Sequence, residues 1–156
     1  MAREKKERTY VKQRGFIRPA IKDDCSFIGK LSNEVFSIFG DYGDIIPQWF
    51  SNADVMTVIY VNNGHPLGFA MLSAPSGEML AVAVIPQYQR SGIGSALLNH
   101  IECLAGRLGL VRVLLHTANE NHAAQLFFQK AGFEVIGTQE NYYPKGQTAL
   151  KMSKSI

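Results

Sequence analysis

The stretch VIPQYQRSGIGSALLNHI (84–101) combines glycine and polar residues where an apolar strand pattern gives way to a helical one. Gly92 and Gly94 let the backbone adopt positive φ and let another group approach it closely. Amide groups at the following helix N-terminus would then face an anion such as phosphate. The polar residues around the glycines are Gln89, Arg90, Ser91 and Ser95. The stretch therefore predicts a backbone anion site.

Two common phosphate-binding patterns do not fit this turn. A P-loop has Lys followed by Ser or Thr after its last glycine, whereas Ser95 and Ala96 follow Gly94. A dinucleotide-binding turn has a third glycine or alanine at the position that Leu97 occupies. The glycines alone are a weak signal, because turn glycines that bind no ligand are common.

Side chains elsewhere in the chain could transfer protons. Glu78 precedes the apolar stretch MLAVAVI, and His116 lies near the end of VRVLLHT. A carboxylate or an imidazole can act as a general base, and a tyrosine such as Tyr142 or Tyr143 can donate a proton. Each also has a structural interpretation, as a solvated turn residue, a packed strand-end histidine or a loop aromatic. The other histidines have no metal-site spacing, so no metal is predicted: His65, His100 and His122.

The apolar pattern predicts the elements that position these groups. A strand at 15–20 precedes a helix that Asp23 or Asp24 caps and that runs to Gly40. The segment 40–53 is a short helix or ordered loop. Its Ile46, Trp49 and Phe50 are candidates for lining a pocket, although core packing is their more common role. The later elements are strands at 54–61, 67–74, 78–85 and 111–117, a helix after the glycines, a helix capped by Asn119 or Asn121, and strands FEVIGT and TALKMS. This order predicts an α/β (α+β) sheet protein.

Charge and composition limit the class of protein. The chain of 156 residues has a net charge of +3, but residues 1–14 contain all of the basic excess, and the remaining chain is slightly acidic. We therefore expect a basic, flexible tail at 1–14 and one domain at 15–156. Nucleic-acid binding is disfavoured because the domain lacks a basic excess. We expect no secretory signal, no membrane span and a cytoplasmic location with Cys25 and Cys103 as buried, reduced thiols.

The wider context of the glycines resembles the acetyl-CoA-binding motif of the GNAT superfamily of N-acetyltransferases. In VAVIPQYQRSGIGSALLNHIE, the pattern Gln/Arg-x-x-Gly-x-Gly/Ala corresponds to Gln89, Gly92 and Gly94. The segment NENHAAQLFFQKAGFEVIG is similar to the second cofactor-side segment of that superfamily. The resemblance covers about residues 15–153. It implies a mixed, splayed central sheet of six to seven strands flanked by about four helices.

The resemblance also implies which residues bind acetyl-CoA. Backbone amides from Gln89 to Ser95 would hold the pyrophosphate, with Arg90 as a counter-charge. The strand before the turn would pair with the pantetheine arm, and an amide at or near Val82 would polarise the thioester carbonyl. Asn121 would contact the arm from the other side. The implied cofactor residues are Val82, Ala83, Val84, Gln89, Arg90, Ser91, Gly92, Ile93, Gly94, Ser95 and Asn121.

Catalytic roles follow from the resemblance with one departure. Glu78, the first choice of base, resembles the base glutamate of the histone-acetylating branch. His116 stands where the ribosomal-protein alanine N-acetyltransferases carry a catalytic glutamate, and NYYPKGQ is similar to their acceptor-site segment. Many relatives have a tyrosine where this chain has Phe128, which has no hydroxyl. Tyr142 or Tyr143 would then lie at the substrate mouth as the alternative proton donor.

The expected activity is transfer of the acetyl group of acetyl-CoA to a primary amine by direct attack in a ternary complex. The acceptor is a protein N-terminus or a small amine, and acidic lining from Asp41, Asp44 and Glu78 would favour a polycation. The alternative is an acyl-CoA-binding sensor or interaction module without turnover, which Phe128 keeps open. A homodimer is possible, since dimers are common in the superfamily.

Overall fold

The computed structural model describes residues 15–156, so the basic tail at 1–14 lies outside the described residues. Seven strands and four helices follow the predicted order. Short 3₁₀ turns at Lys22–Asp24 and Pro86–Tyr88 precede α1 and the glycine turn. The elements are β1 (Gly15–Pro19), α1 (Cys25–Phe36), α2 (Tyr42–Phe50), β2 (Val55–Asn62), β3 (His65–Ser73), β4 (Met79–Val84), α3 (Ile93–Arg107), β5 (Arg112–Ala118), α4 (His122–Lys130), β6 (Glu134–Gln139) and β7 (Ala149–Ser155).

The strands form two sheets that meet at one point. An antiparallel sheet has the order β1-β2-β3-β4, and a second has the order β5-β7-β6. Between them, β4 and β5 run parallel, and an isolated bridge joins Glu78 to Leu114. The predicted mixed, splayed sheet of six to seven strands with about four helices is therefore confirmed, with seven strands and four helices in residues 15–156. The divergence of β4 and β5 beyond this bridge opens a gap in the middle of the fold.

Alternating residues of the first sheet pack into two cores. Phe69 and its neighbour Ala70 on β3 belong to different cores because successive side chains of a strand face opposite sides. One core contains Leu97 and Ile101 of α3, and the other contains Ile46 of α2. Each of these large side chains is at most 1% exposed, and burial of this kind contributes about 1.5–3 kcal/mol per side chain. The two cores hold α1 and α2 on one face and α3 and α4 on the other.

The capping and the end of α1 differ from the sequence prediction. Asp24 stands at the N-cap position, but its side chain makes no capping bond to the helix. Its carboxylate instead accepts two hydrogen bonds from the Arg18 guanidinium, at 2.8 and 3.0 Å, and one from the Ile21 amide. This ion pair with β1 lowers the pKa of Asp24. The helix ends at Phe36 rather than continuing to Gly40.

Both cysteines are free, but the prediction that they are buried is wrong. Cys25 is half-buried, and Cys103 is exposed on α3. Among residues 15–156, no three His, Cys, Asp or Glu side chains are placed to hold a metal ion. No helix in the described range is long and apolar enough to span a membrane.

Candidate active site

The gap between β4 and β5 encloses a cavity of about 680 Å³, a size typical of small-molecule sites. The glycine turn lies at one end, where Arg90, Gly92 and Gly94 contribute to the wall. Aromatic residues from α1, α2 and the loop between β6 and β7 line another part. Glu78 and His116 also line this cavity. The fold therefore brings the predicted anion site and the predicted proton-transfer groups into one space.

The glycine turn exposes the N-terminus of α3. Gly92 is the N-cap residue with φ of 88°, and Arg90 also has a left-handed φ, of 64°. In the described structure no side chain caps this terminus, and Ala96 donates the first helical bond, to the Gly92 carbonyl. A Cβ at Gly92 would have no atom within 4 Å. Open space above uncapped amides is the arrangement that suits an anion.

Neighbouring side chains fix the turn from outside. Ser91 Oγ donates a hydrogen bond to the Tyr88 carbonyl, and Gln89 Nε2 donates one to the Val84 carbonyl at 3.2 Å. Gly94 has a different environment, since a Cβ there would lie 3.4 Å from the ring of Phe127 on α4. A Cβ there would make only an ordinary van der Waals contact with α4. Gln89 and Ser91 support the loop with their side chains.

The backbone of β4 presents alternate residues to the gap. The Ile85 amide donates to Leu67 of β3 at 2.9 Å, whereas the Val84 carbonyl faces away from β3 and accepts from Gln89. Because hydrogen-bonding direction alternates along an antiparallel strand, Val82 presents its amide and carbonyl to the gap as Val84 does. The backbone of Ala83 faces β3 instead. Val82 is thus the residue whose free edge groups lie nearest the middle of the opened sheet.

Asn121 lies across the gap from β4, at the beginning of α4. Its Oδ1 accepts a hydrogen bond from the Ala124 amide at 3.1 Å, so it is the N-cap residue, one of the two predicted alternatives. Asn121 also lines the cavity. Its capping bond uses the side-chain oxygen, which leaves the amide nitrogen as the group able to contact a ligand.

Glu78 and His116, predicted as rival bases, form a pair. Glu78 Oε1 lies 2.7 Å from His116 Nδ1, and the two side chains are 25% and 12% exposed. A carboxylate can only accept, so Nδ1 carries the proton and Nε2 of the neutral ring has the free lone pair. The bridge between Glu78 and Leu114 places the two side chains together, because His116 follows Leu114 by two residues on β5. The arrangement is that of an imidazole base oriented by a carboxylate.

Tyr142 covers the imidazole. Its ring stacks on His116 with centroids 4.3 Å apart and an interplanar angle of 14°. Burial, with a smaller contribution from the negative charge of Glu78, raises the pKa of Tyr142 to about 12. The phenol is therefore protonated at neutral pH and can donate a hydrogen bond. Tyr143 contacts Tyr142 edge-to-face at 5.0 Å and also lines the cavity.

Five aromatic residues form what we call the aromatic wall of the cavity. Tyr42 is its centre, with ring centroids 6.1, 6.0 and 6.5 Å from those of three neighbours. The ring of Phe39 packs on Tyr143, with centroids 4.9 Å apart. The members of the aromatic wall are Phe36, Phe39, Tyr42, Trp49 and Tyr143.

The loop between β6 and β7 is held against the end of α1. Lys145 donates from its amide to the Phe39 carbonyl at 3.2 Å and from its ammonium to the Ser37 carbonyl at 2.9 Å. Gln147 Nε2 donates to the Ile38 carbonyl at 2.8 Å. These bonds join the two parts of the chain that supply the aromatic wall.

Several pocket predictions change in the structure. Asp41 and Asp44 do not line the cavity but a separate small depression that also contains Lys30, so the predicted acidic lining reduces to Glu78. Trp49 and Ile46 line the cavity, whereas Phe50 does not. The sequence analysis assigned no role to three residues of the aromatic wall. Aromatic residues in and just before GDYGD (40–44) were the available signal. The missed residues are Phe36, Phe39 and Tyr42.

Comparison with known proteins agrees with this architecture. Residues 24–133 match the family described as the Acetyltransferase (GNAT) family. The chain is 35% identical over 72 residues to N-alpha-acetyltransferase 50 of Danio rerio, a match that covers 46% of this chain and 43% of that protein. It is 33% identical over 84 residues to the [ribosomal protein bS18]-alanine N-acetyltransferase of Escherichia coli K12, covering 53% and 57%. The chain thus spans about half the length of the curated relatives it matches.

Solved structures show the same fold over most of the chain. Ard1 from Thermoplasma volcanium has a TM-score of 0.80 at 23% identity, covering 91% of this chain and 97% of that one. The ribosomal-protein-S18-alanine N-acetyltransferase of Escherichia coli has a TM-score of 0.79 at 24% identity, covering 92% and 94%. The yncA protein of Salmonella typhimurium, solved with its cofactor acetyl-CoA, has a TM-score of 0.75 at 21% identity, covering 90% and 93%.

Proposed function

Because the chain belongs to the GNAT family of acetyltransferases, we propose that it transfers the acetyl group of acetyl-CoA to a primary amine by direct attack in a ternary complex. The observation that carries the proposal is the Glu78–His116 pair in the wall of the cavity that also contains the glycine turn. A base and an anion site in one cavity are what amine acetylation by a phosphate-bearing thioester requires. The named relatives also act on amines.

The residues of the gap fit acetyl-CoA. The uncapped amides of the turn and the open space above Gly92 suit a pyrophosphate, with Arg90 as a counter-charge. The free edge of β4 at Val82 suits an extended arm with amide groups, and Asn121 faces it across the gap. Bound acetyl-CoA would supply the acyl donor, with a thiolate as the leaving group. The Val82 amide is the donor placed to polarise a carbonyl in the gap.

His116 acts as the base in this proposal, with Glu78 as its positioning residue. Glu78 Oε1 is engaged with Nδ1 at 2.7 Å, which leaves Nε2 as the free basic atom of the imidazole. Nε2 takes one proton from the ammonium form of the acceptor, directly or through water, and the neutral nitrogen can then attack. As the N–C bond forms and the C–S bond breaks, the Tyr142 phenol would give its proton to the leaving sulfur, and the proton that the nitrogen sheds would return to the Tyr142 oxygen.

Tyr142 is the proposed proton donor. Phe128 is buried beside the cavity and has no hydroxyl. The Tyr142 phenol, in contrast, stacks on His116 and stays protonated at neutral pH. The alternative function, an acyl-CoA sensor without turnover, rests on Phe128, which has no hydroxyl to protonate a leaving thiolate. It requires binding of the donor with no transfer to any amine.

The test is acetyl-CoA turnover, read as free thiol, against a panel of short peptides with varied first residues and small amines. Turnover with at least one amine is expected, with acetylated product confirmed by mass spectrometry. Tight acetyl-CoA binding without product across the panel would instead favour the sensor. The cytoplasmic location, the homodimer and the tail at 1–14 stay predictions.

A further inference from the structure

The aromatic wall lines the same cavity as the Glu78–His116 pair, and its chemistry limits which amines fit there. We propose that the site selects a peptide N-terminus whose first residue has a bulky apolar side chain, such as Leu, Met or Phe. This inference rests on the proposed function, because it concerns the acceptor of the same reaction. It also chooses between the peptide and the polycationic amines that the sequence left open.

The charges of the cavity argue against a polycation. Among the described residues that line it, Glu78 is the only carboxylate, and its Oε1 already accepts the hydrogen bond of His116 Nδ1. Arg90, a cation, lies at the glycine turn. Burial raises the pKa of both Tyr42 and Tyr143, so neither phenol becomes an anion near neutral pH. An acceptor with several ammonium groups would therefore find in the cavity only one carboxylate, which is already hydrogen-bonded to the base.

The ring geometry argues for an apolar contact rather than a cation cage. Tyr42 meets the rings of Phe36, Trp49 and Tyr143 at interplanar angles of 68°, 64° and 74°. In such edge-to-face packing the edge of one ring covers part of the face of its partner. A cation cage needs several ring faces directed at one point.

The wall is also fixed before an acceptor arrives. Three hydrogen bonds join the loop that carries Tyr143 to the carbonyl groups of Ser37, Ile38 and Phe39. A preformed apolar surface loses less conformational entropy on binding than a mobile one. A large first side chain would therefore gain its full contact area at the mouth.

The experiment compares four-residue peptides that differ only in the first residue, Leu, Met, Phe, Ala, Lys or Glu, together with spermidine. Free-thiol release gives kcat/KM for each, and calorimetry measures acetyl-CoA binding separately. We expect the Leu, Met and Phe peptides to exceed the Ala and Lys peptides by at least about tenfold. Equal or better turnover of the Ala peptide, the Lys peptide or spermidine would overturn the inference and leave the proposed function standing. No turnover of any acceptor, with tight acetyl-CoA binding, would overturn both.

A matched pair of variants locates the selectivity. Trp49→Leu should lower kcat/KM for the Leu peptide about fivefold, change that for the Ala peptide less than twofold and leave the KM for acetyl-CoA unchanged. Phe50→Leu, on the same helix but outside the cavity, should leave the Leu-to-Ala ratio unchanged. If Trp49→Leu does not fold, Phe39→Leu provides the same test, because Phe39 belongs to the aromatic wall and packs on Tyr143. A ratio unaffected by either wall variant would contradict the assignment.

Discussion

Replacing Glu78 by glutamine separates the two roles that this carboxylate can have. The glutamine oxygen can still accept the Nδ1 proton of His116, so the orientation of the imidazole survives. The negative charge that stabilises the protonated ring is lost. A hydrogen bond to a charged group contributes about 1.5–3 kcal/mol and a neutral one about 0.5–1.5 kcal/mol.

The structure sets the size of the expected effect. With Glu78 one-quarter exposed, solvent screening reduces the difference to about 1 kcal/mol, which corresponds to about fivefold in kcat. His116→Gln removes the base itself and should cost about 100-fold or more. If Glu78 instead takes the proton directly, the order reverses, and Glu78→Gln becomes the more damaging change.

The assay is steady-state thiol release at saturating acetyl-CoA and acceptor. Glu102→Gln is the matched control. Glu102 lies on α3 outside the cavity, and its carboxylate pairs with the Lys154 ammonium at 2.5 Å. Its kcat should equal that of the unmodified protein. Wild-type kcat in both Glu78→Gln and His116→Gln would refute the reasoning that the pair handles the proton.

Further changes test the turn, the phenol and the ion pair. Gly92→Ala, at φ of 88°, should weaken acetyl-CoA binding about tenfold in calorimetry, because the free turn would relax to relieve a strain of about 1–2 kcal/mol that binding must restore; Gly109→Ala, at φ of 78°, should not affect binding. Tyr142→Phe keeps the ring but should lower kcat about tenfold; an unchanged kcat excludes the phenol as donor. Asp24→Asn should lower the free energy of unfolding by about 1–3 kcal/mol above pH 5. Because Arg18 lowers the pKa of Asp24, the native protein loses this stability as pH falls below about 4, and urea denaturation should show that loss in the native protein but not in the variant.

Local patterns in the sequence were sufficient for the order of the elements and the position of the glycine turn. Apolar spacing gave α3, and the Asn121 cap followed from the residue type preferred at that position. These features depend on neighbours within a few positions. The same reasoning placed Asp24 correctly at the N-cap of α1 but not its side-chain bond, because Asp24 bonds to Arg18 on another element instead of capping its own helix.

Contacts between distant residues were beyond this reasoning. Glu78 and His116 are 38 positions apart, and their pairing depends on where the two sheets touch. Lys145 and Ser37 are 108 positions apart, and their contact completes the aromatic wall. The register of β4, which directs Val82 to the gap and Ala83 to β3, is likewise a property of strand pairing.

The most direct test of the account is a crystal structure of the protein with coenzyme A. We expect pyrophosphate oxygens within hydrogen-bond distance of amides between Gln89 and Ser95, and the thiol end in the gap beside Val82 on the side of His116. Coenzyme A bound elsewhere, or with its pyrophosphate away from the N-terminus of α3, would contradict the account.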